Sequence, residues 1–555
     1  MTSAERGSGP AVTEARRDGN VPAAGEPTVQ PGDVDAVLPP GGTTRAGRAG
    51  NWLRRHALLL ALLLAALAAR AWDVAATLPV MHHPDEPGNT GLIESIVATG
   101  DLNPHFFNYP SLFIYLQAAV SPDGPLLGWL IPGTVAESPF RIAMGVGYAP
   151  SVPVVLLHRG LSVAFGVGVV LVVWLIARRA FGGHLAPGVA AGLVAFSPNL
   201  IEHSQYVTPD MLAVLTTSLA VLAGIAVLQS GSTRAYLAAG LLVGLSASAK
   251  YNAVLVALVV VVAFLARIRR PGLPGWAAVG RLVLSGVAAG AAFLLTTPYA
   301  LLDRATFLTD LQFEREHYAT GHIGMQGETP RFYASLLLRE ESVIVVLAVL
   351  GLVAALAAGH WRVTAVLLAF PVGYAALVAT MVVRNDRTIM LVLPVLAVLA
   401  GYAVQWARDQ GRARLSRPVG RTVGAVLGAL LVALVAVDLP ASVRQSSVHD
   451  ARVAAARWVA DHVPAGSAIV LESYGPWLDP EVYAVADVKE LAGKELPEGT
   501  DYVIASEMIY ARFLDQPDQF PGETASYEEL FASLELVREF PEPGNSIRIY
   551  RVPQS

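Results

Sequence analysis

Apolar runs close to twenty residues long recur along most of this chain, and nothing else in it restricts the fold as much. The hydrocarbon core of a bilayer is crossed by ~20 residues of α-helix, in which every backbone amide finds its partner inside the segment. The runs therefore predict an all-α polytopic membrane bundle. About eleven spans fit, at roughly 56–79, 154–177, 185–201, 209–229, 235–249, 251–268, 279–301, 342–358, 362–382, 388–406 and 420–440. Composition agrees: 54% of residues are hydrophobic and 15% charged, a balance that soluble domains do not show. There is no cysteine, so disulfide, metal-thiolate and thiol chemistry are excluded.

Of the 39 basic residues 36 are arginines, and their placement orients the bundle. Arg54, Arg55, Arg178, Arg179, Arg234, Arg267, Arg269, Arg270, Arg362 and the stretch from Arg408 to Arg421 fall in alternate loops. Basic loops stay on the cytoplasmic side. The opposite loops carry Asp85, Glu86, Glu202, Asp210, Asp303 and Glu314. Arginines flank both ends of 235–268, so the chain must turn back at "SAKYN", which puts Lys250 outside, against the charge rule. The expected placement is a multi-pass protein of the plasma (inner) membrane, its amino terminus cytoplasmic. Arginine does not gather on one face, so no nucleic-acid partner is expected.

Three stretches stand apart from the spans. Residues 1–50 are rich in Gly, Pro and Ala without hydrophobic period and read as a disordered cytoplasmic tail, not a signal peptide. The catalytic unit is expected over 51–440, with large outer loops at 80–153 and 302–341. In the first, Leu92, Ile93, Ile96 and Val97 recur at helical spacing and predict an interfacial helix. In the second, Phe307, Leu311 and Tyr318 share a helix face ahead of the lid-like "TGHIGMQGETP". From 441 to 555 the pattern becomes that of a small α/β domain, on the outer side by span count, with strands at "SAIVLES", "DYVIAS" and "IRIYRV".

Four ionisable clusters fall at outer span ends, and charge at membrane depth marks function more often than not. In "HHPDE" the prolines 84 and 87 flank Asp85 and Glu86; the pair is either a solvated helix cap or an active carboxylate. Lys250, Tyr251 and Asn252 form a short turn, either a snorkelling lysine or an anion site. Arg384 and Arg387 in "RNDR" either pair with Asp386 or clasp phosphate oxygens. Glu202, His203 and Asp210 flank another turn. Together with Asp85, Glu86 and His82 or His83 they form a candidate divalent-cation site without diagnostic spacing. Arg159, inside the second span, is expected to pair with an acid, and "FGVGVV" to serve close helix packing.

A carboxylate facing several cations suits transfer of a sugar from a lipid phosphate. The leaving group is already an acidic phosphate, so one base for the acceptor hydroxyl suffices, with cations at the departing oxygens. A hydrolase would need two separated carboxylates. The competing reading is a transporter or flippase of lipid-linked sugars, which needs ionisable groups through the middle of the bundle.

Arg70, "HPDE", "NYPSLFIYL", "SPNLIEHSQYVTPD", "GLSASAKYNAVL" and "RNDRTIMLVLPVLAVLAGY" resemble the polytopic glycosyltransferases of the GT-C class, in the branch of protein O-mannosyltransferases and aminoarabinose transferases, over roughly 50–440. The resemblance implies a polyprenyl-phosphate sugar donor, an acceptor lipid, glycan or protein, and inversion. It implies Asp85 as base with Glu86 its neighbour, Lys250 and Arg387 as phosphate contacts, and Glu202 and Asp210 as auxiliary or metal-binding acids. This chain has "RNDR" where many relatives show Arg-Tyr, and no clear Asp-x-Asp in its second outer loop.

Overall fold

A computed structural model describes residues 45–555 apart from 79, 82, 123, 126–146, 149–150, 269–274, 322–327, 415–421, 423–425, 427, 435, 437–449, 543 and 554–555. The chain divides into two units, Met1–Arg55 and His56–Ser555, and the second holds both the helical bundle and the carboxy-terminal domain. The expected tail over 1–50 lies almost wholly outside the described residues, as does the core of "TGHIGMQGETP".

Helices occupy the predicted spans, but not all at full length. Among the described residues six are long and apolar enough to cross a membrane: Val152–Phe181, Asp210–Ser230, Tyr251–Ile268, Gly275–Thr296, Trp361–Val378 and Asp386–Gly411. Two bent pairs raise this to eight if each is one span. Leu185–Phe196 breaks by 62° into Pro198–Gln205, and Thr329–Glu340 by 104° into Ser342–Ala357. His56–Ala71 and the 17-residue Thr233–Ala249 are shorter, and much of 420–440 lies outside the described residues. Among the described residues, length and apolarity thus mark six to eight candidate crossings of the eleven expected. The first helix, Arg45–Ala71, stops before the expected 79 because Asp73 takes a left-handed backbone, φ 61°, that a helix cannot carry through.

The breaks are held by buried polar groups. Proline after Ser197 ends one helix and opens the next. The carbonyls thus orphaned at the end of Leu185–Phe196 are taken by Arg70, whose guanidinium donates to Ala195 O at 2.8 Å and Val194 O at 3.0 Å. Ser197 Oγ donates in turn to Glu341, the buried residue at the 104° bend. Elsewhere small residues let backbones touch: a Cβ on Gly240 would collide with Ser285 O, and one on Gly244 with Ala289 O. Gly166 of "FGVGVV" likewise leaves no room for a Cβ beside Ser204 Oγ, which is the close packing expected there.

The carboxy-terminal domain has a five-stranded mixed sheet. Across it run Ala484–Val488, Ala468–Glu472, Tyr502–Ser506, Ile547–Arg551 and Glu535–Phe540, the first three parallel and the last two antiparallel to their neighbours. Helix Ala451–His462 covers one face through Ala455 and Val459. Glu507–Leu514 and Pro521–Ser533 cover the other through Phe513 and Tyr527. Tyr502–Ser506 is buried along its whole length, as a central strand between two helical layers must be. Arg452 of this domain lies near enough to Tyr206 of the bundle for its charge to act on that phenol.

Candidate active site

Pro84 and Pro87 make "HPDEP" a turn that enters the helix Glu86–Thr99, with Asp85 at its cap. Consecutive residues at a helix entry diverge, and here they end in different surroundings. Glu86 is fully buried. Arg159 grips it with Nε to Oε1 and Nη2 to Oε2, both at 2.7 Å, and Val207 N adds a bond of 3.1 Å. The expected partner of Arg159 is therefore Glu86. Glu86 is thus buried and gripped through both oxygens by Arg159, away from the cavity wall.

The Asp85 side chain is 22% exposed. Tyr109 OH donates to its Oδ2 at 2.6 Å, and Arg387 Nη1 donates to the same oxygen. Burial pushes the Asp85 carboxyl up, but the Arg387 charge beside it and these hydrogen bonds outweigh it and hold the group at about 2. Burial also takes His83 down to about 4, and its neutral ring accepts from Asp85 N at 3.2 Å.

Lys250 ends the helix Thr233–Ala249 in an extended conformation, and its Nζ lies 2.7 Å from Asp210 Oδ1. Tyr251 OH donates to Phe107 O at 2.8 Å. Arg387 stands in the first turn of Asp386–Ile389, capped by Asn385, whose Oδ1 accepts from Thr388 N at 2.9 Å. Asn385 N donates to Tyr333 OH at 3.3 Å, and His203 Nε2 lies 3.4 Å from Asp386 Oδ2. His203 and Asp386 thus steady the turn that aims Arg387 at Asp85.

A cavity of about 1090 Å³ opens beside these groups. Tyr109, Lys250, Tyr251, Asn252, Glu314 and Tyr318 are in its wall, with Asp85 one hydrogen bond behind Tyr109. Helix Arg304–Thr320 forms the far wall. Its expected face packs as anticipated: Phe307 meets Phe107 and Tyr251 edge-on, while Leu311 and Tyr318 face the cavity. Asp85, Arg387, Lys250 and Tyr251 are therefore brought together.

Other candidates fall elsewhere. Arg384, expected on the donor phosphate, does not line the cavity; it lies over the Phe332 ring, 5.4 Å from the centroid, beside a side pocket with Glu328 and Arg331. Glu202 also stands apart from the cavity wall. Among the described residues no three His, Cys, Asp or Glu side chains are placed to hold a metal ion. The physical reason is pairing: Asp85, Glu86 and Asp210 each already take a cationic side chain. His82 lies outside the described residues. Sequence reasoning gives Tyr109, Asn108 and Glu314 no site role, although it places Glu314 among the outer-loop acids. Tyr109 sat unremarked in "NYPSLFIYL", and Glu314 interrupts the Phe307, Leu311 and Tyr318 stripe at helical spacing.

A family model described as dolichyl-phosphate-mannose-protein mannosyltransferase matches residues 157–288. No curated protein matches the chain. The crystal structure of ArnT from Cupriavidus metallidurans bound to undecaprenyl phosphate is similar in fold, with a TM-score of 0.52 at 14% identity over 89% of this chain and 98% of that one. The archaeal oligosaccharyltransferase AglB from Archaeoglobus fulgidus, in complex with an inhibitory peptide and a dolichol-phosphate, gives 0.52 at 13% identity over 91% and 75%. ArnT in the apo state gives 0.51 at 15% identity over 90% and 98%. These likenesses establish a GT-C-like multi-pass bundle with a small carboxy-terminal α/β domain.

Proposed function

We propose that the chain is an integral-membrane glycosyltransferase that moves a sugar from a polyprenyl-phosphate carrier to a hydroxyl of an envelope lipid, glycan or protein. The reaction takes place at the outer face of the plasma membrane, with the amino terminus cytoplasmic and the 441–555 domain outside. One observation carries this reading: Tyr109 and Lys250 line a single cavity, and Asp85, bonded to both Tyr109 and Arg387, stands directly behind that wall. The matched family description and the lipid phosphates named with ArnT and AglB support the same chemistry.

In this mechanism the acceptor oxygen attacks the anomeric carbon from the face opposite the phosphate, and its proton passes to Asp85. The bond from the anomeric carbon to the phosphate oxygen breaks, configuration inverts, and the phosphate leaves as a monoester dianion. Lys250 is a point charge for that dianion, and Arg387 has N–H groups to spare beyond the one on Asp85. While paired with Arg387, Asp85 is ionised but weakly basic. As Arg387 turns toward the phosphate, the basicity of Asp85 rises at the moment a proton is to be taken. Asp210 holds Lys250 in place, and His203 holds the turn bearing Arg387. Full-length protein in nanodiscs, given radiolabelled polyprenyl-phosphate sugars and an envelope extract, tests the assignment. Asp85→Asn should stop transfer while donor binding persists; a fully active variant removes Asp85 as base.

A further inference from the structure

Glu314 stands with Asp310 on the half-buried stripe of Arg304–Thr320 that Phe307, Leu311 and Tyr318 define, and of the two acids it is the one in the cavity wall. A half-buried acid is costly unless something meets it. Asp85, Glu86 and Asp210 are each matched with a guanidinium or ammonium. Among the described residues no cation pairs with Glu314. Its Oε1 accepts from Asn108 Nδ2 at 2.7 Å, and both residues line the 1090 Å³ cavity with Lys250 and Tyr109. Burial raises the Glu314 carboxyl, the Asn108 bond opposes this, and the charges of Asp85, Lys250 and Arg387 all reach it. Glu314 thus faces the reacting groups without belonging to either ion pair.

The same helix supplies an internal contrast. Asp303 accepts from Asn103 Nδ2 at 3.0 Å and Asp310 from Phe107 N at 2.7 Å, so both fasten the helix to the 103–108 segment. Neither is in the cavity wall, whereas Glu314 is. A carboxylate braced by an amide is a strong acceptor for hydroxyl groups, and it repels a second anion. The part of a ligand lying against it is therefore hydroxylated and uncharged, while the charged part goes to Lys250 and Arg387. In a sugar phosphate these two parts are joined through one oxygen.

We propose that Glu314, braced by Asn108, receives ring hydroxyls of the donor's sugar and sets which sugar the protein accepts. This rests on the glycosyltransferase reading above. A site built to bond a hydroxyl discriminates strongly against ligands lacking it, because its buried group is then left unpaired.

The test measures binding by full-length protein in nanodiscs to bare undecaprenyl phosphate and to its mannose, glucose and arabinose esters. The wild type should hold at least one sugar ester about 10- to 100-fold tighter than the bare lipid. Glu314→Gln still offers an oxygen to Asn108 but has lost the carboxylate; it should shrink that gap to under about threefold with bare-lipid affinity unchanged. Asp310→Asn weakens a fastening bond outside the cavity and should leave the gap intact. The inference is overturned if Glu314→Gln keeps the gap, if Asp310→Asn abolishes it equally, or if the wild type binds bare lipid but shows no gap. A wild type that binds no bare lipid refutes the glycosyltransferase reading, and this inference with it.

Discussion

Asp85 and Glu86 are adjacent in sequence, alike in chemistry and each paired with an arginine, yet they end in opposite surroundings. Glu86 is sealed between the helices Glu86–Thr99 and Val152–Phe181, with both oxygens bonded to Arg159. Asp85 keeps 22% of its side chain exposed and shares one oxygen between Tyr109 and Arg387 beside the cavity. The difference lies in how many bonds each acid can give up. A carboxylate with both oxygens gripped by one arginine in the dry interior is a joint. One held by a single arginine at a rim can change partners.

Four substitutions or conditions press on this contrast. The largest effect is on rate: Asp85→Asn should lower transfer by about 10²- to 10⁴-fold, with only the small loss of thermal midpoint that breaking its pair with Arg387 brings. Glu86→Gln should do the reverse, costing about 3–5 kcal/mol of stability because Arg159 is left buried and under-compensated. Loss of monodisperse protein on gel filtration would register it, and a stable but inactive Glu86→Gln protein would exchange the two roles. Lys250→Ala should weaken donor-lipid binding by about 10- to 100-fold, the effect of losing one hydrogen bond to a charged group, with unchanged affinity removing it from the site. The smallest effect is in pH. Asp85 is held at about 2 against an ordinary 3.8. Its pairing therefore stabilises the fold fully above pH ~4 and is lost as pH falls toward ~2, an effect of about 1–2 kcal/mol. Arg387→Ala should flatten that limb of the thermal midpoint against pH. A limb of unchanged depth in Arg387→Ala would assign it to other carboxylates.

Much of this architecture was legible in the residues, for physical reasons. Span positions follow from apolar length, and the turn at Lys250 from arginines at both ends of 235–268. The strands of the carboxy-terminal domain follow from short β-branched runs. Two elements there escaped: the strand Ala484–Val488 is largely exposed and reads as polar, and the helix Glu507–Leu514 follows its strand without a turn signal. The acidic pair marked the site, but no pattern in "HPDEP" says which acid faces inward; that depends on Arg159, 73 residues away along the chain. Arg384 and Arg387 looked equivalent for the same reason. Only the cap at Asn385, which sets the direction of the first helical turn, sends Arg387 to Asp85 and leaves Arg384 on Phe332.

The bond between Ser197 and Glu341 joins the two broken helices at their elbows. Beyond that joint, the helix Thr329–Glu340 carries Tyr333, which accepts from the very residue capping the Arg387 turn. One run of structure therefore connects the break after Phe196, through Glu341 and the helix Thr329–Glu340, to the cap of the turn that carries Arg387.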